Sequence, residues 1–382
     1  MHNHIYAIMH TYFPVNIGRN ALSSLDSSCE AAGSAIAALQ KSGSSWTVAA
    51  KQLLQRLRHC KKGVNMDGIY FPGLGIFFKK VLSGFSVFGF QIKFYGMIIM
   101  FGFIFAYYLS TLEAKRTGQD PENYLDLLLT LVVPSILGAR IYYILFNMKE
   151  FVSPGKSTGA VIKDMINIRN GGLAIYGGLI AGVITIIFFA RHKKTSFPLV
   201  LDTITMGILM GQIMGRWGNF FNREVFGSYT NSIFRMGIPV DYYSKSFMDY
   251  LTSSGIVTDE MLAHQEVING VSCITVHPTF LYEGLWNVLL LVLIFIFRKK
   301  KKFNGEIFTS YALGYGVGRF IIEGIRTDSL MIGPLKVSQV VAVLCVVGAT
   351  IIIIVNRRKV KNAPLPETEK VEESGENTEK TE

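Results

Sequence analysis

The chain has 382 residues, half of them hydrophobic and only 17% charged, with a formal net charge of +11. So apolar a composition excludes an ordinary soluble domain and indicates an integral membrane protein with the lipid bilayer as its solvent. The basic residues sit in short clusters beside apolar runs, which is a topology pattern, so no nucleic-acid partner is expected. The cysteines Cys29, Cys60, Cys273 and Cys345 show neither a C-x-x-C pair nor ligand spacing, so no metal site, disulfide framework or cofactor is expected.

In chain order, residues 1–65 differ from the remainder of the chain. They are rich in Ser, Gly and Ala, and hold neither an apolar run of spanning length nor the hydrophobic segment of a secretory signal. They read as an extension, disordered or arising from a misassigned start at Met1, that adds nothing to function. The body, residues 66–358, carries seven apolar segments near 92–112, 124–147, 172–190, 198–217, 278–297, 305–324 and 337–356. Each approaches the roughly twenty residues a helix needs to cross the hydrocarbon. Basic clusters come after the first (Lys115, Arg116), third (Arg191, Lys193, Lys194), fifth (Arg298 to Lys302) and seventh (Arg357, Arg358, Lys359, Lys361). The positive-inside rule then places the N-terminus outside and the C-terminus in the cytoplasm.

The predicted fold class is therefore an all-α polytopic membrane protein: seven transmembrane helices with a small extracytoplasmic head between helices 4 and 5. The head is expected over 218–277, with strand in patches such as Ser272-Cys273-Ile274-Thr275-Val276. Residues 359–382 read as an acidic, disordered cytoplasmic tail, many Glu among few large apolar groups.

Polar residues break this apolar pattern in particular places. The fourth segment runs into Gly215-Arg216-Trp217-Gly218-Asn219-Phe220-Phe221-Asn222-Arg223-Glu224-Val225-Phe226-Gly227. Ionisable groups at membrane depth cost several kcal/mol unless they face protein, water or an opposite charge. Arg216 alone reads equally well as a side chain snorkelling to lipid phosphate. On the sixth segment, Tyr315, Arg319, Glu323 and Arg326 recur at spacings of four, four and three, which puts them on one helical stripe. Arg216 and Arg319 facing one level of the bilayer suit a phosphodiester; the alternative is an Arg319–Glu323 ion pair that only locks helices together, and the two can coexist.

The stretch from Gly215 to Gly227 resembles the signature of the prolipoprotein diacylglyceryl transferases, G-R-x-G-N-F-x-N-x-E-x-x-G, at every specified position. Tyr315 to Asp328 is similar to that family's penultimate-helix motif, and His277-Pro278-Thr279-Phe280-Leu281-Tyr282-Glu283 to its H-P-[ST]-x-L-Y-E element. Gly138-Ala139-Arg140 matches its G-x-R, and Tyr95-Gly96 its aromatic–glycine pair. The resemblance runs in family order from about Met66 to Arg358. One position departs: the family's H-G-G-L-x-G has a histidine before the double glycine, where this chain has Tyr176 before Gly177 and Gly178. A histidine there invites a general-base role, whereas a tyrosine, with a pKa near 10, is a far weaker base.

The resemblance implies transfer of a diacylglyceryl group from phosphatidylglycerol to the lipobox cysteine of a prolipoprotein signal peptide, forming a thioether and releasing glycerol phosphate. It also implies a bacterial cell membrane location; a monomer is expected. Such chemistry needs a thiolate nucleophile and stabilisation of a departing phosphate. Arg216 and Arg319 are the candidates for the phosphate, as permanently charged two-donor groups. Asn219 and Tyr95 are candidates for orienting the head group, and Glu224 and Glu323 for holding arginines or accepting a proton. Arg326, Arg140, Tyr282, His277, Gly177 and Gly178 complete the expected lipid-binding set, and Tyr176 joins Arg216, Arg319 and Glu224 as candidate catalytic residues. The general base stays open, His277 qualifying only if it reaches the site. Two other classes fit the same residues: a transporter or channel for an anion, which an inverted repeat would favour, and a lipid-binding scaffold without catalysis.

Overall fold

A computed structural model describes residues 66–152, 156–168 and 171–362. The readings of 1–65 as an extension and of the acidic tail beyond 362 lie outside the described residues.

Long helices form at the seven apolar segments, with slightly different ends. They are α1 (Phe94–Arg116), α2 (Glu122–Phe146), α4 (Ile175–His192), α5 (Phe197–Asn222), α8 (Thr279–Phe297), α9 (Glu306–Gly324) and α10 (Val337–Lys361), with the short α3 (Thr158–Ile166) between α2 and α4. Among the described residues, six of these helices are long and apolar enough to cross a membrane; α9 is not. Its glycines, tyrosines, Arg319 and Glu323 lower its hydropathy below that of its neighbours. It is nonetheless packed between helices, lying against α10, α8 and α5. Large apolar side chains such as Leu129, Val133, Leu137 and Ile351 stand exposed along the helices. Water would penalise surfaces that apolar, and lipid does not.

At one end of the bundle the helix ends are basic, with Lys115 and Arg116 in the last turn of α1 and Arg358, Lys359 and Lys361 in that of α10. Several charges at this end are tied down by buried acids rather than left for topology alone. Glu113 pairs with Arg116 at 2.5 Å and with Arg298 at 2.8 Å. Asp202 holds Lys301 at 3.1 Å and accepts from the backbone N–H groups of Gly305 and Phe308. Glu306 meets Arg357 at 2.5 Å. Buried carboxylates need such partners, and these staple α1 and α5 to the connection after α8 and α9 to α10.

At the opposite end sits a small sheet. Strands β1 (Ile69–Phe71), β2 (Ile76–Phe78), β5 (Met236–Pro239), β6 (Glu266–Ile268) and β7 (Val271–Val276) form one antiparallel sheet in the order β2-β1-β5-β7-β6. Two short helices, α6 (Lys245–Ser253) and α7 (Asp259–Ala263), complete the unit. The strand expected around Ser272–Val276 is β7. The sheet is not confined to 218–277, however, because β1 and β2 come from the segment before the first long helix. Its core of Ile69, Phe71, Ile238, Met261, Ile274 and Val276 continues onto Phe220 at the end of α5 and Phe280 at the start of α8. Those two helix ends are thereby fixed relative to each other. A separate two-stranded ribbon, β3 (Gly84–Val87) with β4 (Phe90–Lys93), leads into α1.

Candidate active site

The end of α5 is shaped for close approach. Helix α5 stops at Arg223, whose backbone is left-handed at φ 53°. A Cβ on Gly218 would lie 2.6 Å from the Tyr95 ring, so only glycine lets the first turn of α1 close over this part of the signature stretch. Arg223 itself is used structurally. It is 2% exposed, donates to the carbonyls of Asp67 and Val81, and stacks on Tyr242 at 3.8 Å. It pins the segment carrying β1 to the bundle.

Arg216, in the last two turns of α5, points at the start of α8. Its Nη2 lies 2.8 Å from a carboxylate oxygen of Glu283, and its Nη1 donates to the Asn219 side-chain carbonyl at 3.2 Å. Asn219 and Asn222 in turn donate to Glu224 at 2.9 and 3.2 Å. Burial holds the Glu224 carboxyl above the ordinary glutamate value, outweighing these two amide donors.

Glu283 is the hub. Only 3% exposed, it accepts from Arg319 Nη1 through both carboxylate oxygens at 3.1 Å and takes Arg326 at 3.4 Å. Arg319 also meets Glu323 at 2.7 Å, so the simple intrahelical pair and the interhelical cluster coexist. The helical stripe holds for Tyr315, Arg319 and Glu323. Arg326 lies just past the end of α9, where it grips Asp328 in a two-pronged pair at 2.8 and 2.9 Å. Burial alone would lower the Arg326 guanidinium and raise the Asp328 carboxyl. The attraction between them wins, so Arg326 is raised and Asp328 lowered. Three arginines from α5, α9 and its following loop thus converge on three acids, Glu283, Glu323 and Asp328.

Backbone ladders lock this constellation to the sheet. Gly227 N–H donates to His277 C=O, His277 N–H to Ser228 C=O, and Ser228 N–H to Ile325 C=O. His277 faces the Tyr282 hydroxyl at 3.3 Å, and burial lowers its imidazole pKa. A neutral imidazole at physiological pH is able to accept a proton.

Tyr176, Gly177, Gly178 and Arg140 are brought together elsewhere, where α2 and α4 cross. A Cβ on Gly177 would lie 2.3 Å from the Gly138 carbonyl oxygen, so the two helices touch backbone to backbone. Tyr176 packs on Tyr142 with ring centroids 6.5 Å apart and stays partly exposed. Arg140 is 7% exposed and donates to five backbone carbonyls, those of Asp164, Met165, Asn167, Gly171 and Gly172. Its guanidinium organises the loop after α3, with its donors directed at backbone oxygens.

Glu283 and Asp328 were absent from the residues chosen by sequence reasoning. The signal existed: Glu283 is an acid at the start of an otherwise apolar helix, which membrane energetics mark as functional or paired.

Fold and site together define a polytopic membrane protein with a charged, largely buried cluster at one end of its bundle. The chain belongs to the prolipoprotein diacylglyceryl transferase family, whose family model matches residues 83–355. It is 40% identical over 269 residues to the phosphatidylglycerol–prolipoprotein diacylglyceryl transferase of Bacillus mycoides (strain KBAB4), covering 70% of this chain and 89% of that protein. The proteins of the same name from Bacillus cereus (strain 03BB102) and Bacillus thuringiensis subsp. konkukian (strain 97-27) are 39% identical over the same length and coverage.

Proposed function

We propose that this chain transfers the diacylglyceryl group of phosphatidylglycerol to the lipobox cysteine of a prolipoprotein. The observation that carries the reading is the convergence of Arg216 and Arg319, from different helices, on the single carboxylate of Glu283. A phosphodiester presents the same pair of acceptor oxygens as a carboxylate and suits the same guanidinium forks. In the reaction the cysteine thiolate attacks the glycerol carbon bonded to phosphate oxygen. A C–S bond forms, the C–O bond breaks, and glycerol phosphate leaves with the electron pair. Arg216 and Arg319 stabilise that departing charge, Asn219 orients Arg216, and Tyr95 shapes the head-group side over Gly218. Glu323 holds Arg319, Glu224 braces Asn219 behind Arg216, and Arg326 adds a third positive charge on Glu283, while His277 and Tyr282 line the approach from the sheet.

Arg140, Gly177, Gly178 and Tyr176 frame the α2–α4 side, where lipid reaches the bundle. The five-stranded sheet, with the short helices α6 and α7, is the extracytoplasmic head, α9 is a seventh span held by its ion pairs, and the C-terminus is cytoplasmic. The protein acts as a monomer.

Purified protein incubated with phosphatidylglycerol and a lipobox-cysteine peptide should add the mass of one diacylglyceryl group to the peptide. Lipid binding without this mass gain would instead support the scaffold reading, and passage of a phosphate anion across sealed vesicles the transporter reading.

A further inference from the structure

The ribbon β3–β4 stands apart from the five-stranded sheet, and its two faces differ. The register pairs Phe85 with Ile92 and Val87 with Phe90, so these four side chains share one face. Ser86 pairs with Gln91 on the other face, and both are exposed. Every residue of the apolar face is exposed too, Phe90 at 77%. At the turn, Phe88 and Gly89 have φ of 48° and 83°, the pair of left-handed positions that asparagine and glycine normally fill. Phe88 is 99% exposed. A fully exposed phenylalanine at a position that also strains its backbone gains nothing from water. An isolated two-stranded ribbon is itself marginal in water without something on its apolar face.

The surroundings say what that something is. Phe94, the first residue of the membrane helix α1, comes directly after the ribbon and packs on Phe85 with ring centroids 5.7 Å apart. The apolar face is therefore continuous with the start of a span. Lys79 and Lys80, both exposed, precede the ribbon, and Lys93 closes it. Apolar side chains on one side with lysines at the rim are the composition of an element lying in the membrane interface.

We propose that β3–β4 is a non-helical membrane-insertion element. Phe88, Phe90 and their neighbours sink among the lipid acyl chains, Ser86 and Gln91 face water, and the lysines meet lipid phosphates. The ribbon thereby anchors the segment 71–82, which lines an apolar cleft of about 630 Å³ with Trp217, Phe220 and Phe280.

The test uses full-length protein in phosphatidylcholine vesicles containing a minor share of phosphatidylglycerol. Cys29, Cys60 and Cys345 are replaced by serine, and buried Cys273 is kept. An environment-sensitive fluorophore is attached to Phe88→Cys, Phe90→Cys or Gln91→Cys. Labels at 88 and 90 should be quenched several-fold more by spin-labelled phospholipid than the label at 91, and the order should reverse with aqueous iodide. Iodide quenching at 88 equal to that at 91, with no lipid effect, would overturn the proposal. Shielding of position 88 from both quenchers would overturn it as well, by putting protein over the face. A single monodisperse species for each labelled variant verifies that the chain is folded.

Discussion

Arg216 and Glu283 meet at 2.8 Å across two helices that the sheet also holds together, so the ion pair is set by the fold on both sides. Neither residue is free to move without disturbing the other helix. This rigidity is what makes single substitutions informative.

The first prediction concerns the two arginines. Lysine keeps the charge of Arg216 or Arg319 but loses the planar fork. Each of Arg216→Lys and Arg319→Lys should lower turnover by about a hundredfold or more, the loss of roughly 3 kcal/mol expected when one strong transition-state donor is removed. Tyr176→Phe, altering a residue packed on Tyr142, should stay close to the parent. The measurement is diacylglyceryl transfer to a lipobox peptide, with phospholipid binding followed separately. Near-normal turnover in both lysine variants would sink the phosphate assignment.

The second concerns the hub. Glu283→Gln preserves shape but leaves Arg216, Arg319 and Arg326 short of one negative charge in a buried site. Removing one partner of a buried ion pair costs on the order of 3 kcal/mol or more. The variant should unfold at clearly lower temperature in detergent, while Glu283→Asp should recover part of the loss. A Gln variant that melts with the parent would mean that Glu283 does not organise the cluster.

The third rests on the raised Glu224 carboxyl. Folding makes this group hold its proton more tightly, so its stabilising contribution is complete below the unfolded value, near 4.5, and is lost as pH rises through the folded value. Glu224→Gln keeps an acceptor for Asn219 and Asn222 but cannot ionise. Parent and variant should have similar melting temperatures in acid, and the variant should become the more stable as pH climbs above 4.5 toward neutrality. Parallel melting curves across that range would refute the shift.

The fourth tests orientation. A cysteine replacing exposed Asp241, beside β5, should react with an impermeant maleimide added to intact cells, and one replacing exposed Lys300 only after permeabilisation. The reverse pattern would invert the topology and put the site at the wrong face.

Much of the bundle was legible because hydropathy is a local property: a run such as Leu199–Met214 announces its helix without reference to anything else. The Arg319–Glu323 spacing was equally local. What stayed hidden depends on residues far apart in the chain. Tyr70 pairing with Gly237 joins β1 to the sheet, and no pattern near either residue declares it. Glu283 was visible inside its motif, yet its role as the shared partner of three arginines exists only once α5, α8 and α9 are assembled. Arg140 read as one more cation for lipid because sequence does not reveal how many carbonyls will surround a guanidinium.

The balance of three arginines against three acids has a consequence for selectivity. A site that is electrically closed at rest exerts little pull on passing ions. In the proposed reaction, a lipid phosphate must trade places with a carboxylate instead of filling an empty cradle. Occupancy is then a competition between two anions for one pair of forks. Small soluble phosphates, lacking acyl chains to hold them at membrane depth, start that contest at a disadvantage, so the bilayer itself acts as the first filter.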